Sequence, residues 1–390
     1  MDTSIAIFGR QPALGLAELE SLFGAADITP LGAHAALISN RYQNVPFSRL
    51  GGSVKVAQLL TTIPSTQWSD IETYLKKTIP DHLHYMPEGK LKLGISVYGQ
   101  TVRPQRINAS ALSIKKVIKS SGKNVRIVPN KTADLNSAQV IHNQLTGELG
   151  WEFVCVITQK ETFLGLTKYV QDIEAYAARD QARPKRDARV GMLPPKLAQT
   201  IINLINPSGG TTVLDPFCGT GVVLQEALLM GFDVYGTDIE PRMIEYSLEN
   251  VDVWLRSIRD VHGTVRLQPA DATSHTWAPP FDAIACETYL GRPFSNTPRP
   301  NVLQEVMQDV DTIHRKFLKN VASQTQKGLR LCLAIPAWHI GNSVKHLKML
   351  DSLEELGYNR LRFKHVNTRD LIYRREGQIV GRELVVLERI

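Results

Sequence analysis

The chain has 390 residues, 43% of them hydrophobic, and a formal net charge of +7 at neutral pH. That length exceeds one typical core and predicts two or three domains. No apolar run approaches the ~20 residues that span a bilayer. The start, Met1-Asp2-Thr3-Ser4, lacks the basic residues of a secretory signal. Four separated cysteines (Cys155, Cys218, Cys286, Cys332) form no Cys-x-x-Cys pair, which argues against zinc or a disulfide framework and for a reducing cytoplasm.

Ile5 to Phe8 reads as a strand, Leu16 to Phe23 as an amphipathic helix and Ala33 to Ser39 as a second strand. These suggest an N-terminal α/β module over residues 1–45. Val54 to Leu60 and Ile71 to Lys77 read as helical, while Leu91 to Tyr98 alternates like a half-buried strand. A helix is expected over Asn108 to Ser120, a strand over Val125 to Val128, a helix over Gln139 to Leu145 and a strand over Glu152 to Thr158. The order across residues 46–170 resembles a THUMP domain, the RNA-binding module of several tRNA-modifying enzymes. Charge agrees with it. Between Thr101 and Lys131 there are eight basic residues and no acidic one: Arg103, Arg106, Lys115, Lys116, Lys119, Lys123, Arg126 and Lys131. Lys115 and Lys119 lie one helical turn apart on one face, where like charges repel by roughly 0.2–0.5 kcal/mol. An RNA backbone would relieve them; the plainer reading is a solvated basic face.

Residues 171–190 read as a basic, Pro-interrupted linker, with Arg183 a further candidate for RNA contact. Residues 191–390 form the last domain. Pro195 begins a helix that ends near Leu204, as proline suits a first turn. Then comes Val213-Leu214-Asp215-Pro216-Phe217-Cys218-Gly219-Thr220-Gly221: a buried strand, a glycine turn and a helix start. Such a unit directs backbone N–H groups at a ligand, and glycine permits close approach. The spacing fits neither a dinucleotide fingerprint nor a P-loop. The acid at the strand end suits a ligand with an ammonium group. Val234 to Asp238 is the second strand; Asp238 falls 23 residues after Asp215, near the offset at which an acid meets ribose hydroxyls. The same residue could instead cap the helix starting at Pro241. Val265 to Leu267 and Ala283 to Cys286 are the third and fourth strands.

Asp-Pro-Phe-Cys-Gly-Thr-Gly resembles motif I of the class I methyltransferases. The stretch from Arg179-Asp180 and Arg183-Pro184 through Pro194-Pro195-Lys196-Leu197-Ala198 closely resembles the segment before motif I in THUMP-containing tRNA guanosine N2-methyltransferases. The resemblance implies an α/β fold: a Rossmann-like, seven-stranded, mostly parallel sheet with an antiparallel last strand, preceded by an α+β THUMP-like region. It implies S-adenosylmethionine as cofactor and tRNA as partner; no metal or membrane is expected from the cysteine spacing and apolar runs, and the sequence leaves the oligomeric state unknown, with a monomer as the default. It assigns the cofactor to Asp215, Phe217, Gly219, Gly221, Asp238, Ile239, Asp271 and Ala272, with Pro195 in the helix that closes over the methionine end. The tail, with Tyr373, Arg375 and Gly381-Arg382-Glu383, resembles the family's C-terminal end.

The fourth strand departs from the pattern. Family members end it with Asp/Asn-Pro-Pro-Tyr-Gly, where this chain has Glu287-Thr288-Tyr289-Leu290-Gly291. An exocyclic amine has its lone pair delocalised into the ring, so acceptors must orient it and take up its proton. Two readings stand. In one, Glu287 is the acceptor and general base, with Tyr289 the stacking platform. In the other, chemistry is altered or lost and the chain is an RNA-binding relative that keeps the cofactor fold. Beyond this loop, residues 295–300 suggest a mobile loop, Val302 to Asn320 a helix and Leu329 to Pro336 the fifth strand. Val344 to Leu356 reads as helix and Arg360 to Val366 as the sixth strand. Trp338 and His339 could line a base pocket or pack in the core.

Overall fold

The alternating apolar runs of the N-terminal half pair into one mixed sheet. The computed structural model describes residues 3–187, 193–294 and 296–390. Residues 188–190 of the expected linker, residues 191–192 that open the last domain, and the first residue of the expected 295–300 loop lie outside that range. Contacts divide the chain into residues 1–48 with 52–175, and residues 49–51 with 176–390.

The first unit runs β1 (Ser4–Phe8), α1 (Pro12–Phe23), β2 (Ile28–Pro30), β3 (Ala35–Ile38), β4 (Ser53–Ile63), α2 (Trp68–His82), β5 (Leu91–Tyr98), α3 (Pro104–Ser120), β6 (Val125–Ile127), α4 (Ser137–His142), β7 (Gly150–Ile157) and β8 (Thr162–Val170). The strand order is β2-β3-β1-β4-β8-β7-β5-β6. Antiparallel pairing of β1 with β4 therefore places the strands of residues 1–45 and of residues 46–170 in one sheet. Helices α2 and α3 lay Ile71, Leu75, Ile107, Ile114 and Ile118 on Leu93 and Ile95 of β5.

Val54 to Leu60 is a strand, not the expected helix. The signal that misleads is Lys55, a charged residue in a core-facing position. It is 1% exposed and ion-paired with Glu152 of β7, and its Nζ donates to Leu135 O at 2.7 Å. Strand β8 was not anticipated from the sequence.

The second unit continues from α5 (Ile173–Gln181), which starts in the first, through α6 (Pro195–Ile205), β9 (Thr212–Asp215), α7 (Val222–Leu229), β10 (Asp233–Asp238), α8 (Pro241–Ser247), α9 (Leu255–Ile258), β11 (Val265–Pro269), β12 (Ala283–Glu287), α10 (Pro300–Ala322), β13 (Arg330–Ile340), β14 (Ser343–Lys345), β15 (Tyr358–Arg360), β16 (Ile372–Tyr373) and β17 (Val380–Arg389). A π-helical turn, Leu248–Trp254, joins α8 to α9. The sheet order is β11-β10-β9-β12-β13-β17-β15, with β14 on β13 and β16 on β17. Strands β9 to β13 are mutually parallel, and β17 runs antiparallel to β13, as expected.

Two C-terminal expectations fail. The helix expected over Val344 to Leu356 is instead β14 and a 3-10 turn, Lys348–Ser352. Asp311 of α10 captures the Met349 N–H at 2.6 Å, and pairing with the end of β13 takes up β14. The sixth strand is Tyr358–Arg360, earlier than expected, because it pairs with Leu387 to Arg389 of β17.

Candidate active site

In an open parallel sheet, ligands bind beyond the carboxyl ends of the strands, where the chain order reverses. Here β9 is flanked by β10 on one side and β12 on the other. A cavity of about 710 Å³ opens at that point.

Asp215 ends β9 at the cavity floor, almost fully buried. Its Oδ1 accepts the Phe217 N–H at 3.0 Å. Burial pushes its carboxyl well above the usual range; the Phe217 bond opposes this, while the charges of Asp238 and Glu287 add to it. A cationic group in the cavity would stabilise the ionised form. The glycine turn then takes positive φ at Gly219 (51°) and Gly221 (83°). Gly219 lines the cavity. Gly221 does not: a Cβ there would stand 2.7 Å from Val251 and 3.0 Å from the Ser247 hydroxyl, so helix packing and turn geometry demand this glycine. Cys218 is buried with its Sγ against Ser247, a packing residue.

Asp238 ends β10 and braces the turn from the next strand. Its Oδ2 accepts the Gly219 N–H at 2.9 Å and its Oδ1 the Glu240 N–H at 3.0 Å. The cap position of α8 falls on Glu240, so Asp238 does not cap that helix. Each oxygen keeps lone-pair capacity for a further donor. Ile239 follows, 71% exposed and on the cavity wall, an apolar surface of the kind a flat ring covers. Asp271 and Ala272 follow β11 at the same rim. Asp271 Oδ1 accepts both the N–H (2.8 Å) and the hydroxyl (2.7 Å) of Thr273. Phe217 lines the cavity and meets Phe317 edge-on at 5.0 Å.

The opposite end of the cavity is the loop after β12: Glu287, Thr288, Tyr289, Leu290 and Gly291 all line it. Glu287 Oε1 accepts from Arg382 Nε, on β17, in a buried ion pair. Burial raises the Glu287 carboxyl and Arg382 opposes the shift. The longer side chain thus reaches sideways to a cation that a shorter acid in this position would reach less easily. Tyr289 is 46% exposed, with a face available for stacking.

Besides Gly221, two expected residues fall elsewhere. Pro195 is buried in the first turn of α6 and is not in the lining; Leu193 takes that wall. Arg183 does not face solvent for RNA: it is 3% exposed, and its Nη1 donates to Thr220 Oγ1 at 3.3 Å beside the glycine turn. Arg179 is likewise buried, against Glu226 at 2.9 Å. Polar contacts with Glu226 of α7 and Thr220 of the glycine turn thus draw in two arginines of what reads as a basic linker. Reading residue by residue missed Arg382, and also Ile313 and Lys316, which α10 presents to the cavity. Only the Gly-Arg-Glu tail resemblance carried any signal for Arg382.

The sheet order, the antiparallel last strand and an acid at the end of each of β9 and β10 decide the fold. This is the class I methyltransferase fold. Solved structures similar in fold over the whole chain include TrmN from Thermus thermophilus (TM-score 0.54, 16% identity, 100% of both chains) and a possible methylase from Clostridium difficile 630 (0.52, 14%, 98% of this chain and 97% of that one). Residues 183–339 match a family profile described as RMKL-like, methyltransferase domain. Curated relatives include the tRNA (guanine(10)-N2)-dimethyltransferases of Methanothermobacter thermautotrophicus and Pyrococcus abyssi. The first is 33% identical over 159 residues, 40% of this chain and 43% of that protein. The second is 33% identical over 148 residues, 37% of this chain and 39% of that protein. The chain thus matches these relatives over less than half of their length.

Proposed function

We propose that the protein is an S-adenosylmethionine-dependent tRNA methyltransferase that forms N2-methylguanosine in the cytoplasm. The observation that carries this reading is one cavity with two chemically distinct ends. One end gathers Asp215, Asp238 and Asp271; the other presents Glu287 and Tyr289. The names of the curated relatives support the substrate.

The residues present fit the cofactor. Asp215 would meet its ammonium group, Asp238 its ribose hydroxyls, and Ile239 with Asp271 and Ala272 its adenine. When bound, the cofactor supplies an electrophilic methyl group on sulfur. The chain supplies position and acceptors, which account for most of such a rate gain. Glu287 accepts an N–H of the guanine amine and takes up its proton; a buried carboxyl raised above its usual range is suited to that. Tyr289 stacks on the flipped-out base.

The first unit would hold the RNA. Arg103, Arg106, Lys116 and Lys119 are exposed on and beside α3, with Lys115 and Lys123 half-buried. Lys123 Nζ donates to Pro87 O. The buried face of α3, Ile107, Ala111, Ile114 and Ile118, fixes the helix against the sheet and turns the other face outward. No helix among the described residues is long and apolar enough to cross a membrane.

The test is mass spectrometry of tRNA nucleosides after incubation with the protein and methyl-labelled S-adenosylmethionine. Labelled N2-methylguanosine is expected. A labelled adenosine or cytidine, or no label in any tRNA tested, would overturn the reading.

A further inference from the structure

Where the family places two prolines after the fourth strand, this chain has Thr288 and Tyr289. Proline rings stiffen a loop by fixing φ, and neither replacement does so. Nevertheless the loop is tied down at three points. The Thr288 N–H donates to Ala334 O at 3.1 Å, which carries the β12–β13 pairing one residue past Glu287. A proline could not make that bond. The Thr288 hydroxyl lies 2.7 Å from Nε2 of His314 on α10 and 3.2 Å from Ala334 O, and Nδ1 of His314 lies 2.7 Å from Val310 O. Finally, Gly291 takes φ +82°, and a Cβ there would press on Val306 at 3.0 Å and Val310 at 3.1 Å. One face of α10 thus holds both ends of the loop.

The hydrogen bonds have one consistent assignment. A carbonyl only accepts, so Nδ1 carries the ring proton. Burial holds His314 neutral, with its pKa lowered to about 4. Nε2 is then an acceptor that needs a donor at 2.7 Å, so the single Thr288 hydroxyl proton goes to it rather than to Ala334 O at 3.2 Å, which already accepts the Thr288 N–H. Thr288 has spent its N–H and its hydroxyl within the protein. It lines the cavity with one polar group left, its carbonyl.

We propose that His314 is a positioning residue acting through Thr288. The buried imidazole–hydroxyl pair takes over from the missing prolines. It fixes the Thr288 carbonyl beside Glu287 as the second acceptor for the substrate amine. This rests on the methyltransferase reading above, since it assigns the loop a partner amine. It also gives α10 a role that its apolar face alone does not require.

The experiment compares Thr288→Val, Thr288→Ser, His314→Phe and the Thr288→Val/His314→Phe double variant. Single-turnover methyl transfer to tRNA is measured at saturating cofactor and RNA, with S-adenosylhomocysteine affinity by calorimetry. Thr288→Val is isosteric and His314→Phe keeps the ring, so both preserve packing. Each is expected to slow transfer roughly 10- to 100-fold, the scale of a small misplacement of reacting groups. The double variant should be no slower than the slower single one, because both break the same link. Thr288→Ser should stay within about twofold, and affinity should hold in all four. Unchanged rates in Thr288→Val, losses that multiply in the double variant, or affinity that falls in step with rate would each overturn the proposal. A wild-type protein inactive on every tRNA breaks the functional reading instead. In that event the ¹⁵N shifts of His314 test the pair without turnover. An unprotonated Nε2 in the wild type that changes in Thr288→Val sustains the pair; a protonated Nε2 sinks it.

Discussion

Glu152 is fully buried and Glu287 largely so, both carboxylates end up beside a cation, and their surroundings differ. Glu152 is sealed. Its Oε1 accepts from Lys55 and from the Ser96 hydroxyl at 2.5 Å, and its Oε2 from Thr167 at 2.7 Å. Lys55 spends its own donors on Glu152, Ser96 and Leu135. Glu287 has Arg382 on Oε1 and a cavity beside it. Burial and charge pairing alone therefore do not mark a functional carboxylate. What separates Glu287 from Glu152 is hydrogen-bonding capacity left facing a cavity.

The largest effect that would sharpen this contrast is expected at the sealed pair. Lys55→Met leaves Glu152 buried without its cation and should destabilise the first unit by about 3–5 kcal/mol. Urea unfolding would show it, and the Lys55→Met/Glu152→Leu pair should recover most of the loss. If Lys55→Met unfolds no sooner than the wild type, the pair is not structural. At the open pair the loss should fall on chemistry. Glu287→Ala should slow single-turnover transfer roughly 100- to 1,000-fold and leave S-adenosylhomocysteine affinity unchanged. A wild-type rate would remove Glu287 from the reaction.

Asp238→Ala takes away the acceptor for two backbone N–H groups as well as the proposed ribose contact. Cofactor affinity should fall by about 1.5–3 kcal/mol, as for hydrogen bonds to a charged group; equal calorimetric affinities would exclude it. Arg382→Leu removes the charge and the hydrogen bond that oppose burial at Glu287, so the carboxyl should rise further. A base with a raised pKa is active above that pKa and lost as pH falls through it. Transfer by the variant should therefore climb with pH across a range where the wild type is flat; parallel profiles would show that Arg382 does not tune the base. The smallest effect is expected on the first unit's exposed basic face. Replacing Lys116 and Lys119 with alanine should lower the salt dependence of tRNA binding by about one counterion for each phosphate no longer neutralised. An unchanged slope would make that face merely solvated.

Much of this molecule is legible in its sequence for a local reason. The strand–turn–helix at Asp215 to Gly221 announces itself because positive φ, a buried strand and a strand-end acid are properties of consecutive residues. Asp238 and Ile239 follow from the repeat of that unit one strand later. Other features depend on partners far along the chain. Lys55 hides a strand because its carboxylate is 97 residues away. Arg183 reads as an RNA ligand until it is found buried beside the glycine turn, against Thr220. Glu287 looks one methylene too long until Arg382, 95 residues on, shows where it reaches. The Thr288 loop looks slack until His314 is placed against it. Short motifs were enough to specify the parallel sheet, its switch point and the strand-end acids that line the cavity there, because that geometry is one that consecutive residues encode. Which charged residues are sealed, which stay open and what stiffens the reacting loop emerged only from long-range packing. Burial and hydrogen-bond satisfaction belong to the packed chain and not to any segment of it.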